Sequence, residues 1–144
     1  MGQHILVVDD DSEITQALQE LLESEGFTVD TAWDGASALS MLKRHSKPPD
    51  VILLDLMMPE MDGFQFIQEL RQAQDLEWKE IPIVVVTAKD LSQEDRTQLN
   101  GYVEKIIQKG GQVHSRESLM GEIRSMVAAY IQPASAHSES QDGA

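Results

Sequence analysis

Short runs of consecutive aliphatic residues alternate along this chain with longer stretches whose apolar positions recur every three or four residues. The runs are Ile5-Leu6-Val7-Val8, Val51-Ile52-Leu53-Leu54 and Ile83-Val84-Val85-Val86. Four aliphatics in a row leave no polar face, so each run predicts a strand covered on both sides. Phe27-Thr28-Val29-Asp30-Thr31 alternates apolar with polar and predicts an edge strand exposed on one face. A weaker run, about Val103 to Gln108, predicts the opposite edge.

The intervening stretches read as helices. Ser12 to about Ser24 puts Ile14, Ala17, Leu18, Leu21 and Leu22 on one stripe, with Asp11 or Ser12 as cap and Gly26 as the stop. Asp34-Gly35 opens a second helix with Ala38, Leu39, Met41 and Leu42 inward, stopped by Pro48-Pro49. A Pro-Glu-Met-Asp-Gly turn leads to a third, with Phe64, Ile67 and Leu70 inward. Gln72 to Ile81 is polar and predicts a frayed helix end and a loop. Ser92 and Asp95 predict a capping pair for a short fourth helix ended by Gly101. The last helix is expected from about Ser115 to Ile131, with Leu119, Ile123, Met126, Val127 and Tyr130 on one face. Five βα units of this kind predict an α/β protein with a doubly wound parallel sheet and helices on both faces. Residues 1–132 form one expected domain, and 133–144, small or polar throughout, an expected disordered tail.

Composition narrows the function classes. The 144 residues suit a single domain, and 41% apolar content is ordinary for a globular protein. No apolar stretch approaches the roughly 20 residues of a membrane span. Met1-Gly2-Gln3-His4 lacks the basic and apolar regions of a signal peptide, so a cytoplasmic location is expected. The absence of cysteine excludes disulfides, thiol catalysis and thiolate metal sites. His4, His45, His114 and His137 show no helical metal-ligand pairing and read as ordinary, partly exposed side chains. A formal net charge of −14 argues against direct binding to nucleic acid or to an anionic membrane.

The strand ends carry the chemistry. The first run is followed by Asp9-Asp10-Asp11, the second by Asp55 and the third by Thr87, while Lys109 follows the edge run that holds Ile106-Ile107. Parallel strands would bring these residues to one edge, where ligands bind in doubly wound sheets. Carboxylates about 4–5 Å apart repel by roughly 3–4 kcal/mol at an effective dielectric near 20, so the cluster calls for protons or a cation. Magnesium suits it: a hard ion that keeps several waters and takes one or two carboxylates plus phosphate oxygens. Calcium suits it less, because no EF-hand spacing is present. Asp11 reads as a helix cap, Asp62-Gly63 as turn chemistry and Met57-Met58-Met61 as packing. Thr87 or Lys109 alone would be an ordinary strand-end threonine or surface lysine. An acid after four buried aliphatics, as at Asp55, has no comparable stabilising role.

Three segments carry a resemblance: Ile5 to Asp10, Asp50 to Gly63 and Ile81 to Ala88. In this order they resemble the response-regulator receiver domain of two-component phosphorelay signalling, over essentially residues 4 to 131. The resemblance implies a flavodoxin-like (βα)5 fold with strand order 2-1-3-4-5. It implies that Asp55 accepts a phosphoryl group from a histidine kinase or histidine phosphotransfer protein. Asp10 and Asp55 would bind Mg2+ directly, Asp9 through bound water, and Met57 through its backbone carbonyl. Lys109 and the Thr87 hydroxyl would each meet a phosphoryl oxygen. The chain would then act as a switch that catalyses its own phosphorylation and dephosphorylation. Its output would pass through the face of the fourth helix, fifth strand and fifth helix to a downstream protein target.

Two positions depart from the family pattern. Gly110-Gly111 replaces the usual proline after the lysine, so a trans or adaptable loop is expected there. Ile106 stands where the family has an aromatic switch. The resemblance also implies that the side chains two positions after Asp55 and Thr87 admit or orient the hydrolytic water; here they are Met57 and Lys89, neither a carboxylate nor an amide, and a long-lived phosphoryl group is expected. One alternative is a receiver module cut from a hybrid sensor kinase, and a more distant one an aspartyl-nucleophile phosphatase of the haloacid dehalogenase type. Flavodoxin-type and nicotinamide-binding readings fail for want of a suitable phosphate-binding loop.

Overall fold

Alternate residues of each central strand face opposite layers, and both layers are apolar. In the computed structural model, which describes residues 3–44, 47–58, 61–74, 76–108 and 116–130, the elements are β1 (His4–Val8), α1 (Ser12–Ser24), β2 (Thr28–Ala32), α2 (Gly35–Arg44), β3 (Val51–Leu54), α3 (Gly63–Gln72), α4 (Leu76–Lys79), β4 (Ile83–Thr87), α5 (Gln93–Leu99), β5 (Lys105–Gln108) and α6 (Arg116–Tyr130). The five strands form one parallel sheet in the order β2-β1-β3-β4-β5. Leu6, Val8, Ile52, Leu54, Ile83 and Val85 pack with α2, α3 and Leu99 of α5. Ile5, Val7, Val51, Leu53, Val84 and Val86 pack with α1 and α6. The period of two in a strand dictates this split, and it is why the central runs hold no polar residue.

Local signals place the helix ends. Asp11 accepts hydrogen bonds from the N–H groups of Glu13 and Ile14, and so caps α1 as expected. At its other end Gly26, with φ of 100°, donates to the Glu23 carbonyl while Phe27 donates to that of Leu22. This doubly bonded stop requires the left-handed conformation that glycine adopts cheaply. Leu18 and Leu22 bury their side chains against the sheet, worth about 2 kcal/mol each. Ser92 and Asp95 form a reciprocal capping box at α5. Asp62 and Gln65 form another at α3, more than the plain turn expected there.

Several expectations need correction. In α3 the fully buried aromatic is Phe66, with Ile67 and Leu70 beside it, while Phe64 is only partly buried. The inward face is therefore centred one residue further round than the spacing of Phe64, Ile67 and Leu70 suggests. The polar stretch before β4 contains one helical turn, α4, because Trp78 packs on the core and anchors it. The β5 strand begins at Lys105 rather than Val103. Met58 and Met61 pack as expected, but Met57 is 53% exposed. His4 is partly buried, its Nε2 2.7 Å from Asp30 Oδ2. The expectations for His45, His114, His137, Lys109, Gly110-Gly111 and the 133–144 tail fall outside the described residues.

Arg71, near the end of α3, stitches together the other end of the sheet. It donates to the carbonyls of Lys79 (2.6 Å), Ile81 (3.2 Å) and Tyr102 (2.6 Å), joining α4, the entry to β4 and the loop before β5. Burial lowers the guanidinium from its ordinary value, and nearby Glu104 partly offsets the shift.

Candidate functional site

Strand register builds the site. Val8 of β1 lies opposite Leu54 of β3, so Asp9 and Asp55 leave neighbouring strands side by side. Adjacent strands are about 4.8 Å apart, the right spacing for two carboxylates to share an ion. The Asp55 N–H donates to the Val8 carbonyl (2.9 Å), and the Asp9 N–H to the Ala32 carbonyl of β2 (3.0 Å). Both acids are thereby fixed by the sheet rather than by a flexible loop.

The sequence-predicted acids converge. One carboxylate oxygen from each of Asp9, Asp10 and Asp55 lies within 4.8 Å of the others. Asp9 and Asp55 are buried and Asp10 is exposed, so the cluster has a closed floor and an open mouth. Asp9 Oδ1 accepts from the Asp11 N–H (2.9 Å), and Asp55 Oδ1 from the Met57 N–H (3.2 Å). At that spacing each pair of charges repels by about 3 kcal/mol at an effective dielectric near 20. A divalent cation with a preference for oxygen removes that cost, and the donor set fits magnesium.

The loop after Leu54 is shaped around the acid. Gly63 donates to the Leu56 carbonyl (3.1 Å). A Cβ at Gly63 would lie 2.6 Å from Leu56 Cα and 2.7 Å from the Asp55 carbonyl oxygen. Only a glycine lets α3 start this close to the backbone that carries Asp55.

Thr87 ends β4 fully buried, opposite Gln108 at the end of β5. Its Oγ1 accepts from the Lys89 N–H (3.1 Å). The surroundings of Lys89 are not legible from local sequence: its carbonyl accepts from Gln108 Nε2 (2.7 Å), and its ammonium is 3.4 Å from Asp95 Oδ2. A polar residue closing an edge strand was the available signal for Gln108, but its partner depends on strand pairing.

A five-stranded doubly wound sheet with three acids at the β1/β3 edge and a threonine ending β4 places the chain among doubly wound α/β proteins with an acidic pocket at the strand ends. The chain belongs to the response regulator receiver domain family, whose family model matches residues 5–118. It is similar to the response regulator MprA of Mycobacterium ulcerans (42% identity over 90 residues, 62% of this chain and 36% of that protein). MprA of Mycobacterium avium is similar too, at 42% over 86 residues, 60% of this chain and 35% of that protein. This chain therefore spans about a third of the length of the curated relatives it matches.

Solved structures agree. The phosphorylated cyanobacterial phytochrome response regulator RcpA superposes with a TM-score of 0.78 at 25% identity, covering 90% of this chain and 94% of that one. The Mn(2+)-bound response regulator Rcp1 gives 0.73 at 26%, covering 88% and 92%. The chemotaxis response regulator CheY4 of Vibrio cholerae gives 0.70 at 28%, covering 87% and 98%. The chain thus carries a receiver domain of the kind found in two-component signal transduction. Its membership leaves the phosphatase alternative without support. Among the described residues, no helix is long and apolar enough to cross a membrane.

Proposed function

We propose that this receiver takes a phosphoryl group on Asp55 from a phosphohistidine of a histidine kinase or histidine phosphotransfer protein. The observation that carries this reading is the convergence of Asp9, Asp10 and Asp55 within 4.8 Å. An Asp55 carboxylate oxygen attacks phosphorus, the phosphorus–nitrogen bond breaks, and its electron pair stays on the departing imidazole. The product is an acyl phosphate on Asp55.

Asp10, Asp55 and the Met57 backbone carbonyl would hold Mg2+, with Asp9 acting through bound water. When bound, the ion supplies positive charge against the phosphoryl oxygens. Asp9, pinned by the Asp11 N–H, keeps its carboxylate in place. The Met57 N–H orients Asp55 through Oδ1. The Thr87 hydroxyl donates to one phosphoryl oxygen, and Lys109 pairs with another.

Phosphorylation then changes the face built by α5, β5 and α6, where a downstream protein target binds. Direct nucleic acid or membrane binding is not part of this reading, and the acidic charge supports leaving it out. The receiver can also serve as one module of a longer protein, a reading favoured by its covering only 36% of MprA.

The test is phosphorylation by acetyl phosphate, followed by intact mass. Wild type should gain one phosphoryl group only with Mg2+ present, and Asp55→Asn none. Equal labelling of both, or labelling of wild type in chelator, overturns the assignment.

A further inference from the structure

Lys89 is held at three places, each belonging to a different element. Its N–H reaches Thr87 Oγ1 at the end of β4, its carbonyl takes the Gln108 side-chain amide at the end of β5, and its ammonium meets Asp95 in the first turn of α5. The ties differ in strength. The Lys89–Asp95 pair is partly solvent-exposed and contributes little. The bond from Gln108 is short, half-buried and bridges 19 positions of sequence. Ile106 in the same strand has no side-chain polar atom that could substitute for it.

A threonine hydroxyl accepts and donates at once. Oγ1 can keep the Lys89 N–H while its own proton goes to a phosphoryl oxygen. Any movement of Thr87 toward Asp55 then pulls on Lys89, and the amide of Gln108 resists or follows. Lys89 also touches Asp95, whose capping box begins α5. Asp90 and Leu91 alone separate Lys89 from Ser92, the N-cap of α5, so displacement of the loop is passed along the backbone to that helix.

We propose that Gln108 is a positioning residue: by holding the Lys89 carbonyl it sets the loop after β4 and couples phosphoryl capture at Asp55 to α5. The inference rests on the reading of Asp55 as phosphoacceptor and adds the route by which occupancy is read. One neutral hydrogen bond shifts a two-state equilibrium by about 3- to 10-fold, enough to change the population of a loop conformer.

The experiment uses the full chain with Mg2+ and beryllofluoride, as wild type, Gln108→Leu and Gln108→Glu. The glutamate keeps the shape, so a second variant remains should the leucine fail to fold. Fluorine resonances report occupancy of Asp55, and amide spectra report movement of Gln93 to Leu99. Both variants should take up beryllofluoride with affinity within about 3-fold of wild type, while the α5 shifts fall by about half or more. A purely structural role would lower uptake and response in proportion, and that result overturns the proposal. So does a full α5 response in either variant. If wild type itself takes up no beryllofluoride, the phosphoacceptor reading fails first and this coupling fails with it.

Discussion

Replacing Gly63 by alanine tests how closely the start of α3 presses on the strand end that carries Asp55. The added Cβ would stand 2.6 Å from Leu56 Cα, where ordinary contact begins at 3.4 Å. The backbones must separate by about 0.8 Å, because the two nearest atoms, Leu56 Cα and the Asp55 carbonyl oxygen, belong to the main chain and only the third, Leu56 Cδ2 at 2.8 Å, is a side-chain end. If α3 moves, the 3.1 Å bond from the Gly63 N–H to the Leu56 carbonyl stretches beyond hydrogen-bonding range. Overpacking costs about 1–3 kcal/mol and the lost bond about 1, against about 0.5–1 gained from replacing glycine in a helix. The net expectation is a loss of roughly 1–3 kcal/mol, read as a lower urea midpoint with unchanged slope. Gly121→Ala in α6 is the control, because nothing lies within 4 Å of its Cβ position. It should gain about 0.5–1 kcal/mol. If instead the Asp55–Leu56 backbone moves, acetyl phosphate labelling should slow by about 10-fold or more, since a misplacement of about 1 Å costs up to 100-fold. A Gly63→Ala protein with wild-type midpoint and labelling rate would refute the close-approach argument.

Four further outcomes are expected. Asp10→Asn should unfold at higher urea than wild type in chelator, by about 1 kcal/mol after allowing for screening at this exposed acid. It should also lose most of the Mg2+ stabilisation, about 1.4 kcal/mol in wild type at ten times the dissociation constant; an unchanged magnesium response would sink the shared site. Arg71→Met should cost about 1–3 kcal/mol by orphaning the carbonyls of Lys79, Ile81 and Tyr102, and Arg71→Lys should rescue little of it because an ammonium cannot span all three. The Ser92 N–H, with smaller help from Lys89, holds Asp95 below its ordinary 3.8. Its contribution to α5 is therefore present above about pH 3.8 and lost as pH falls through the lower folded value; amide exchange in Gln93 to Leu99 should rise there, and not in Asp95→Asn. Finally, phosphorylated Asp55 should persist for minutes or longer with Mg2+, and Met57→Asn should shorten that life, because the exposed Met57 offers no acceptor to water; loss of label within seconds in wild type would contradict this.

Much of this protein follows from interactions between residues near one another in the chain. Aliphatic runs of four specify strands buried on both faces, Gly26 specifies a left-handed stop, and Ser92 with Asp95 specifies where α5 begins. Acids placed directly after such runs already imply a shared edge, because parallel strands end on the same side. What only the tertiary structure decided depends on pairing between distant segments. Opposing Val8 and Leu54 turns an implied edge into carboxylate oxygens within 4.8 Å, and pairing Thr87 with Gln108 brings an unremarked glutamine to the Lys89 carbonyl. The same holds for Phe66 rather than Phe64 at the centre of the α3 contact, and for the clearance that makes Gly63 necessary. Periodicity gives a helix face only to within a residue, and clearance depends on how near another backbone comes. Neither distance is encoded by the residues alone until the sheet fixes its register.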